Sequence, residues 1–212
     1  MEKKCIIAGA GDFFEKKLPK EKGDFLIAAD GGLDSLLKID VMPDLFVGDR
    51  DSSKADLNII EGLYFPTKKN DSDTLLAVKE GIKRGYKTFY IFGGTGGRID
   101  HTIANIKVLE FLSENCMKGF LFSHNQVITV IQNSEISFPK EFEGYFSVFP
   151  TGGNANGVCI KGSGYTLDNY NFESSSSLGL SNYFKGEITS IKVTDGSVIV
   201  IFERQGEFIF GL

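Results

Sequence analysis

Aspartates and glycines recur together at four places in the first half of the chain. They are Ala29-Asp30-Gly31-Gly32, Gly48-Asp49-Arg50-Asp51-Ser52, Asn70-Asp71-Ser72-Asp73-Thr74 and Gly93-Gly94-Thr95-Gly96-Gly97-Arg98-Ile99-Asp100-His101. Asp49 and Asp51 are two residues apart, so in an extended segment both carboxylates point to one side. Asp71 and Asp73 repeat that spacing. Carboxylates that converge repel one another unless a cation sits between them, and magnesium carried by ATP phosphates favours such an all-oxygen setting. This reading favours a cation site for Asp49 with Asp51 and for Asp73 with Asp100. Asp30, Asp34 and Asp71, taken singly, serve equally well as helix caps or turn residues.

The glycine-rich run 93–97 follows a candidate strand and precedes a candidate helix, so its amides and the helix N-terminus can face a phosphate. Arg98 adds a forked, permanently charged donor to the same anion. The run has neither the lysine of a Walker loop nor the spacing of a dinucleotide fingerprint, and a plain sharp turn is the alternative. His101 stands at the expected helix start. There it is read as a cap or a hydrogen-bonding neighbour before a general base, because phosphoryl transfer rests mainly on positioning and charge neutralisation. His124 lies in no motif.

The elements that must position these residues follow from the apolar pattern. Short apolar runs at 5–8, 25–29, 45–48, 62–65, 88–92 and 119–122 suit strands buried on both faces. Helical spacing over 74–84 and 101–112 places Leu75, Leu76, Val78 and Ile82, and then Ile103, Ile106, Val108, Leu109 and Leu112, on single faces. This alternation predicts an α/β domain, whose ligands bind beyond the carboxyl ends of the strands. All four acidic clusters fall there.

After His124 the pattern changes to short alternating strands at 127–131, 145–149, 158–161, 188–193, 197–203 and 207–211, an antiparallel sandwich or barrel. Thr151-Gly152-Gly153-Asn154, Thr194-Asp195-Gly196-Ser197 and Arg204-Gln205-Gly206-Glu207 read as hairpin turns. The serine run 174–177 reads as a loop.

Composition bounds the function classes. With 42% hydrophobic and 24% charged residues, the 212-residue chain is an ordinary globular protein. A net charge of -5 argues against nucleic-acid binding by phosphate neutralisation. Cys5, Cys116 and Cys159 are odd in number and form no CxxC pair, which fits reduced thiols. No run approaches the roughly 20 apolar residues of a membrane span, and the N-terminus lacks the apolar core of a signal peptide. The expected location is the cytoplasm, with no nucleic-acid or membrane partner.

The order and spacing of these motifs, with Pro43-Asp44 ahead of the second cluster, Asn105 after the fourth and a distal Ser181-Asn182, resemble bacterial thiamine pyrophosphokinases over nearly the whole chain. The resemblance implies a Rossmann-like α/β catalytic domain over residues 1–124 that binds ATP and magnesium. A smaller all-β sandwich domain over 125–212 would bind thiamine. It further implies a homodimer with active sites at the subunit interface.

By the same resemblance, Asp49, Asp51, Asp73 and Asp100 hold Mg2+ and polyphosphate, with Arg98 on the phosphates. Asp30, Gly31, Gly32, Asp71, Thr74, Gly94, Gly96, Gly97, His101 and Asn105 surround the nucleotide. Gly164-Tyr165-Thr166-Leu167 and residues 177–182 look like the acceptor loops. Tyr165 is the candidate to stack on thiamine, with a core tyrosine as the alternative. Ser177, Ser181 and Asn182 are the candidate polar contacts, or a turn that shapes the pocket. The expected reaction is transfer of the diphosphate of ATP to the thiamine hydroxyl, with AMP leaving. A diphosphokinase acting on another alcohol, such as a pterin or nucleoside, and a binding module without turnover are the alternatives.

Overall fold

The computed structural model describes residues 2–49, 60–66 and 70–205. The chain divides into two compact units, Met1–Leu112 with Cys116–His124, and Ser113–Asn115 with Asn125–Leu212.

Among its described residues the first unit has six strands, β1 (Lys4–Ala8), β2 (Phe25–Ala29), β3 (Leu45–Gly48), β4 (Gly62–Tyr64), β5 (Thr88–Phe92) and β6 (Lys118–Phe122). They lie in the order β4-β3-β2-β1-β5-β6, and each neighbouring pair is parallel. The central strands carry continuous apolar runs because both faces of a parallel sheet are covered; Cys5, Ile6, Ile7 and Ala8 are all fully buried. Among the described residues three helices accompany them: α1 (Gly32–Leu37), α2 (Asp73–Lys83) and α3 (Ile99–Glu114). The expected strands and the two longer helices are present. Helix α1 went unforeseen, since six residues are too few to show a 3.6-residue period.

From β1 the chain proceeds outward through β2, β3 and β4 on one side, then returns to place β5 and β6 on the other. The strand order therefore reverses between β1 and β5. Loops leaving that point diverge, which opens a crevice at the carboxyl edge of the sheet.

The second unit is antiparallel: β7 (Gln126–Gln132), β8 (Glu135–Phe138), β9 (Tyr145–Lys161), β10 (Leu167–Phe172), β11 (Asn182–Tyr183), β12 (Thr189–Lys192) and β13 (Asp195–Glu203). Strand β9 is 17 residues long and serves two ladders. Its first half pairs with β11 and with most of β13, which also meets it at Asn156, and its second half pairs with β10 and β12. β7 then flanks β13, and β8 flanks β12. Buried rings hold the unit together: Phe138 meets Phe142, Phe184 and Phe202 at centroid distances of 5.2, 5.3 and 5.0 Å.

Two turn expectations are corrected here. Thr151-Gly152-Gly153-Asn154 does not close a hairpin. Gly152 and Gly153 take φ of 70° and 151°, and strand β9 runs on through them as an irregularity. Thr194-Asp195-Gly196-Ser197 does connect consecutive strands, but β12 and β13 lie on opposite sides of β9. The chain crosses from one ladder to the other at that point. Strands β8, β10 and β11 were also missed, being short or carrying an exposed, polar pattern. The expected strand at 207–211 and half of the third turn, Gly206-Glu207, lie outside the described residues.

Candidate active site

At the reversal between β1 and β5 the carboxyl edge of the first unit carries a cleft of about 520 Å3. Its walls come from four places in the sequence. The loop after β1 supplies Ala10, Gly11 and Asp12; the end of β2 supplies Ala29 and Asp30; the start of α2 supplies Ser72, Asp73 and Thr74; and the segment from β5 into α3 supplies Gly93, Gly94, Thr95, Gly96, Gly97, Arg98, His101, Ala104 and Asn105.

Backbone hydrogen bonds fix the two central loops against each other. The amides of Gly9, Gly11 and Asp12 donate to the carbonyls of Phe92, Gly93 and Thr95 at 2.8, 2.7 and 2.9 Å. Gly96, at φ 81°, lies directly under the Asp12 side chain; a Cβ there would stand 2.0 Å from Oδ2. Only glycine permits that approach. From α3, Asn105 is buried and donates its Nδ2 to the Gly94 carbonyl at 2.8 Å, which pins the glycine loop from behind.

Helix α2 begins at the cleft with Ser72 as N-cap, its Oγ accepting from the Leu75 amide at 3.3 Å. The N-terminus of α3 also opens there through Arg98 and His101. Two helix ends, each with partial positive charge, and a run of glycine amides make this a place for a polyanion. Asp30 takes a left-handed φ of 54° as the chain turns out of β2, and its amide donates to Val47 of β3.

Of the residues expected at the site, the cleft brings together Asp30, Asp73, Thr74, Gly94, Gly96, Gly97, Arg98, His101 and Asn105. Among the described residues, Asp49, Asp71, Asp100, Gly31 and Gly32 are not part of its lining. Asp49 follows β3 and is half-buried, and Asp51 lies outside the described residues. Asp71 is ion-paired to Lys79 at 2.6 Å. Asp100 faces Arg98, which donates from Nε at 3.1 Å and from Nη2 to the second oxygen. That hydrogen-bonded guanidinium holds the Asp100 carboxyl below the ordinary range and raises Arg98 in turn. Gly31 and Gly32 begin α1, where Gly31 is the N-cap.

Sequence reasoning missed Asp12 and Ser72. The signal for Asp12 was present: Gly9-Ala10-Gly11-Asp12 follows an apolar run as Asp30-Gly31-Gly32 ends one. Ser72 carried the N-cap signature ahead of a helical pattern.

The acidic residues at the cleft, Asp12, Asp30 and Asp73, offer carboxylate oxygens, which fit a hard divalent cation such as magnesium. Among the described residues no three acidic, histidine or cysteine side chains form a ready-made cage. Magnesium commonly takes one or two carboxylates and completes its shell with phosphate oxygens and water, so a cage is not required.

In the second unit, Tyr165 is largely exposed and meets Tyr183 edge-on at 5.9 Å. Ser177 and Ser181 are exposed, and Ser181 takes φ 59° while its amide donates to Ser147 Oγ. Asn182 is buried, and its amide group is engaged with the loop that carries Tyr165.

The family of thiamin pyrophosphokinases matches this chain twice: its catalytic domain over residues 17–121 and its vitamin B1 binding domain over residues 133–198. Together the two matches cover most of the sequence. The chain belongs to the thiamin pyrophosphokinase family. Among thiamin pyrophosphokinases, the Bacillus subtilis protein is 27% identical over 186 residues, which span 80% of this chain and 87% of that one. A crystal structure of the Bacillus subtilis enzyme superposes with a TM-score of 0.85 at 23% identity, covering 96% of this chain and all of the other. The thiamin pyrophosphokinase of Candida albicans gives 0.73 at 17% identity, covering 96% and 90%. Such structural likeness carries the fold, and the two-domain architecture of the thiamin pyrophosphokinases is the one seen here.

Proposed function

We infer that this chain is a thiamine diphosphokinase, which transfers the β,γ-diphosphate of ATP to the hydroxyl of thiamine and releases AMP. The observation that carries the reading is the match of one family's catalytic and vitamin-binding domains, in that order, along a single chain. The polyanion cleft at the reversal of the first unit's sheet supports it.

In this reading residues 1–124 form a Rossmann-like domain for ATP and magnesium, and residues 125–212 a β-sandwich domain for thiamine. The gap between the two family matches, between residues 121 and 133, supports a boundary near 124. Asp73, with Asp49, Asp51 and Asp100, would hold magnesium, and Asp30 would stand beside it. When bound, that ion neutralises charge on the polyphosphate and on the departing AMP.

The chain's own part is positioning. Arg98, the glycine-loop amides of Gly94, Gly96 and Gly97, and the α2 end at Thr74 receive the phosphates. Asn105 keeps the loop in place, and His101 lies at its rim. The thiamine oxygen attacks the β-phosphorus in line, the bond from that phosphorus to the α,β-bridging oxygen breaks, and AMP departs with its electron pair. The hydroxyl proton passes to solvent or to a nearby aspartate. Tyr165 offers a ring for the thiazolium and pyrimidine, with Ser177 and Ser181 at the rim. A homodimer with active sites at the subunit interface, in the cytoplasm, and without nucleic-acid or membrane partners completes the proposal. Among the described residues no helix is long and apolar enough to cross a membrane.

The deciding assay mixes protein, ATP, magnesium and thiamine and follows products by chromatography. Thiamine diphosphate and AMP in equal amounts are expected. ADP with thiamine monophosphate would overturn the mechanism, turnover only with another alcohol would move the acceptor, and binding without AMP would reduce the chain to a binding module.

A further inference from the structure

Asn182 was expected to offer its amide to the acceptor. The structure spends that amide elsewhere. Its Oδ1 accepts from the backbone N–H of Tyr165 and of Tyr183, each at 2.9 Å. Its Nδ2 donates to the Tyr165 carbonyl at 2.7 Å and to Ser163 Oγ at 3.3 Å. A carboxamide can accept two hydrogen bonds and donate two, so the group is saturated. The orientation is also forced, because only an oxygen can meet two N–H groups and only the NH2 can meet a carbonyl. The residue is 5% exposed.

The surroundings reinforce the same arrangement. Ser163, 1% exposed, donates its own Oγ to the Tyr165 carbonyl at 2.8 Å. The Gly164 amide donates to the Tyr183 carbonyl at 3.0 Å. Gly164 has no Cβ because the Tyr183 ring occupies that space, 2.1 Å from where the atom would be. What this network leaves outside is the Tyr165 ring, 68% exposed and edge-on to Tyr183.

We propose that Asn182 is a positioning residue for the acceptor: with Ser163 it clamps both backbone groups of Tyr165, so that the Tyr165 ring is presented to a flat cationic heteroaromatic. It makes no contact with that ligand. The proposal rests on the thiamine reading above. The energetic logic is preorganisation, since a ring already fixed loses less freedom when the ligand stacks on it.

Ser163→Ala provides the test, because Ser163 is shielded from a ligand and its hydroxyl meets the Tyr165 carbonyl and the Asn182 amide, so its effect on the acceptor passes through the clamp. The expected result is a KM for thiamine raised about three- to tenfold, the value of about one hydrogen bond, with the KM for ATP and the kcat unchanged. Exchange of the Tyr165 amide hydrogen should quicken in the same variant. Asn182→Asp, which keeps the acceptor oxygens and loses both donors, should act in the same sense and more strongly. In a Tyr165→Ala background Ser163→Ala should add nothing further.

An unchanged thiamine KM in Ser163→Ala despite faster Tyr165 exchange would overturn the proposal. So would an Asn182→Asp effect that persists undiminished without the Tyr165 ring, which marks direct contact with the ligand. Should Asn182→Asp not fold, Ser163→Ala alone decides. Failure of the thiamine reading shows separately, as wild-type protein that forms no thiamine diphosphate; it removes the acceptor role, while amide exchange still reports on the clamp.

Discussion

Asp73 stands at the first position of α2, inside the cleft and next to the helix N-cap. Its replacement by asparagine preserves size and helix start but removes the charge. Turnover should fall about a hundredfold or more with the melting temperature little changed, as judged by the AMP assay and thermal unfolding together. Wild-type turnover would remove Asp73 from the site. At this scale the cleft's lining was legible where a residue ends an apolar run, as Asp30 does after β2, or opens a helical pattern, as Asp73 does for α2. It was not legible where one side chain is claimed by a distant one. Nothing in the spacing of Asp71 announces Lys79 as its partner, and nothing in Ser181-Asn182 announces that the amide turns inward toward Tyr165.

Cys5 belongs to the same scale. Burial in the centre of β1 pushes its thiol from 9.0 up to about 12. The unfolded chain therefore loses this proton at a lower pH than the folded one. Stability from this group is intact below pH 9 and declines as pH rises from 9 toward about 12, by at most about 1.4 kcal/mol per pH unit. Urea unfolding across that window should show a shallower decline in Cys5→Ala than in wild type. At neutral pH a thiol reagent should modify the exposed Cys116 and leave the buried Cys5 untouched.

Among the elements, the loop bearing Gly96 combines a left-handed backbone with a neighbour that fills the space of a side chain. Gly96→Ala strains the loop and displaces Asp12. The expected outcome is a raised KM for ATP, tenfold or more, with the fold retained. Unaltered ATP kinetics would show that the loop is no part of the nucleotide site. The buried ring cluster makes a second element-scale case: Phe138→Ala should cost about 3 to 5 kcal/mol by denaturant unfolding. Strands of the parallel sheet were readable because burial on both faces writes continuous apolar runs. The antiparallel strands β10 and β11 were not, since β10 is mostly exposed and polar and β11 has two residues. The glycines of β9 misled for the same reason that glycines usually inform: a positive φ serves a turn or a bulge alike.

For the whole molecule, ligand linkage gives the broadest check. Magnesium with ATP at about a hundred times its dissociation constant should stabilise the folded chain by about 2.7 kcal/mol. Removal of magnesium with EDTA should abolish most of that rise, because the cleft's carboxylates then repel the polyphosphate; an undiminished shift would argue against a cation at the site. The reversal of strand order between β1 and β5 is what brings segments from residues 10, 30, 73 and 96 to one edge. That convergence was expected from the βα alternation for the segments at 30, 73 and 96, while Asp49, expected with them, does not line the cleft. The share taken by the first loop was not, because its single aspartate had no second carboxylate at a telling spacing.

Strand β9 joins both ladders of the second unit. The shared backbone cannot be released while either ladder holds, because freeing it means breaking the pairings on both. Partial opening is thereby made expensive. The central amides of β9 should be the last in the unit to exchange with solvent, and they should do so at a single free energy, that of the entire unit coming apart.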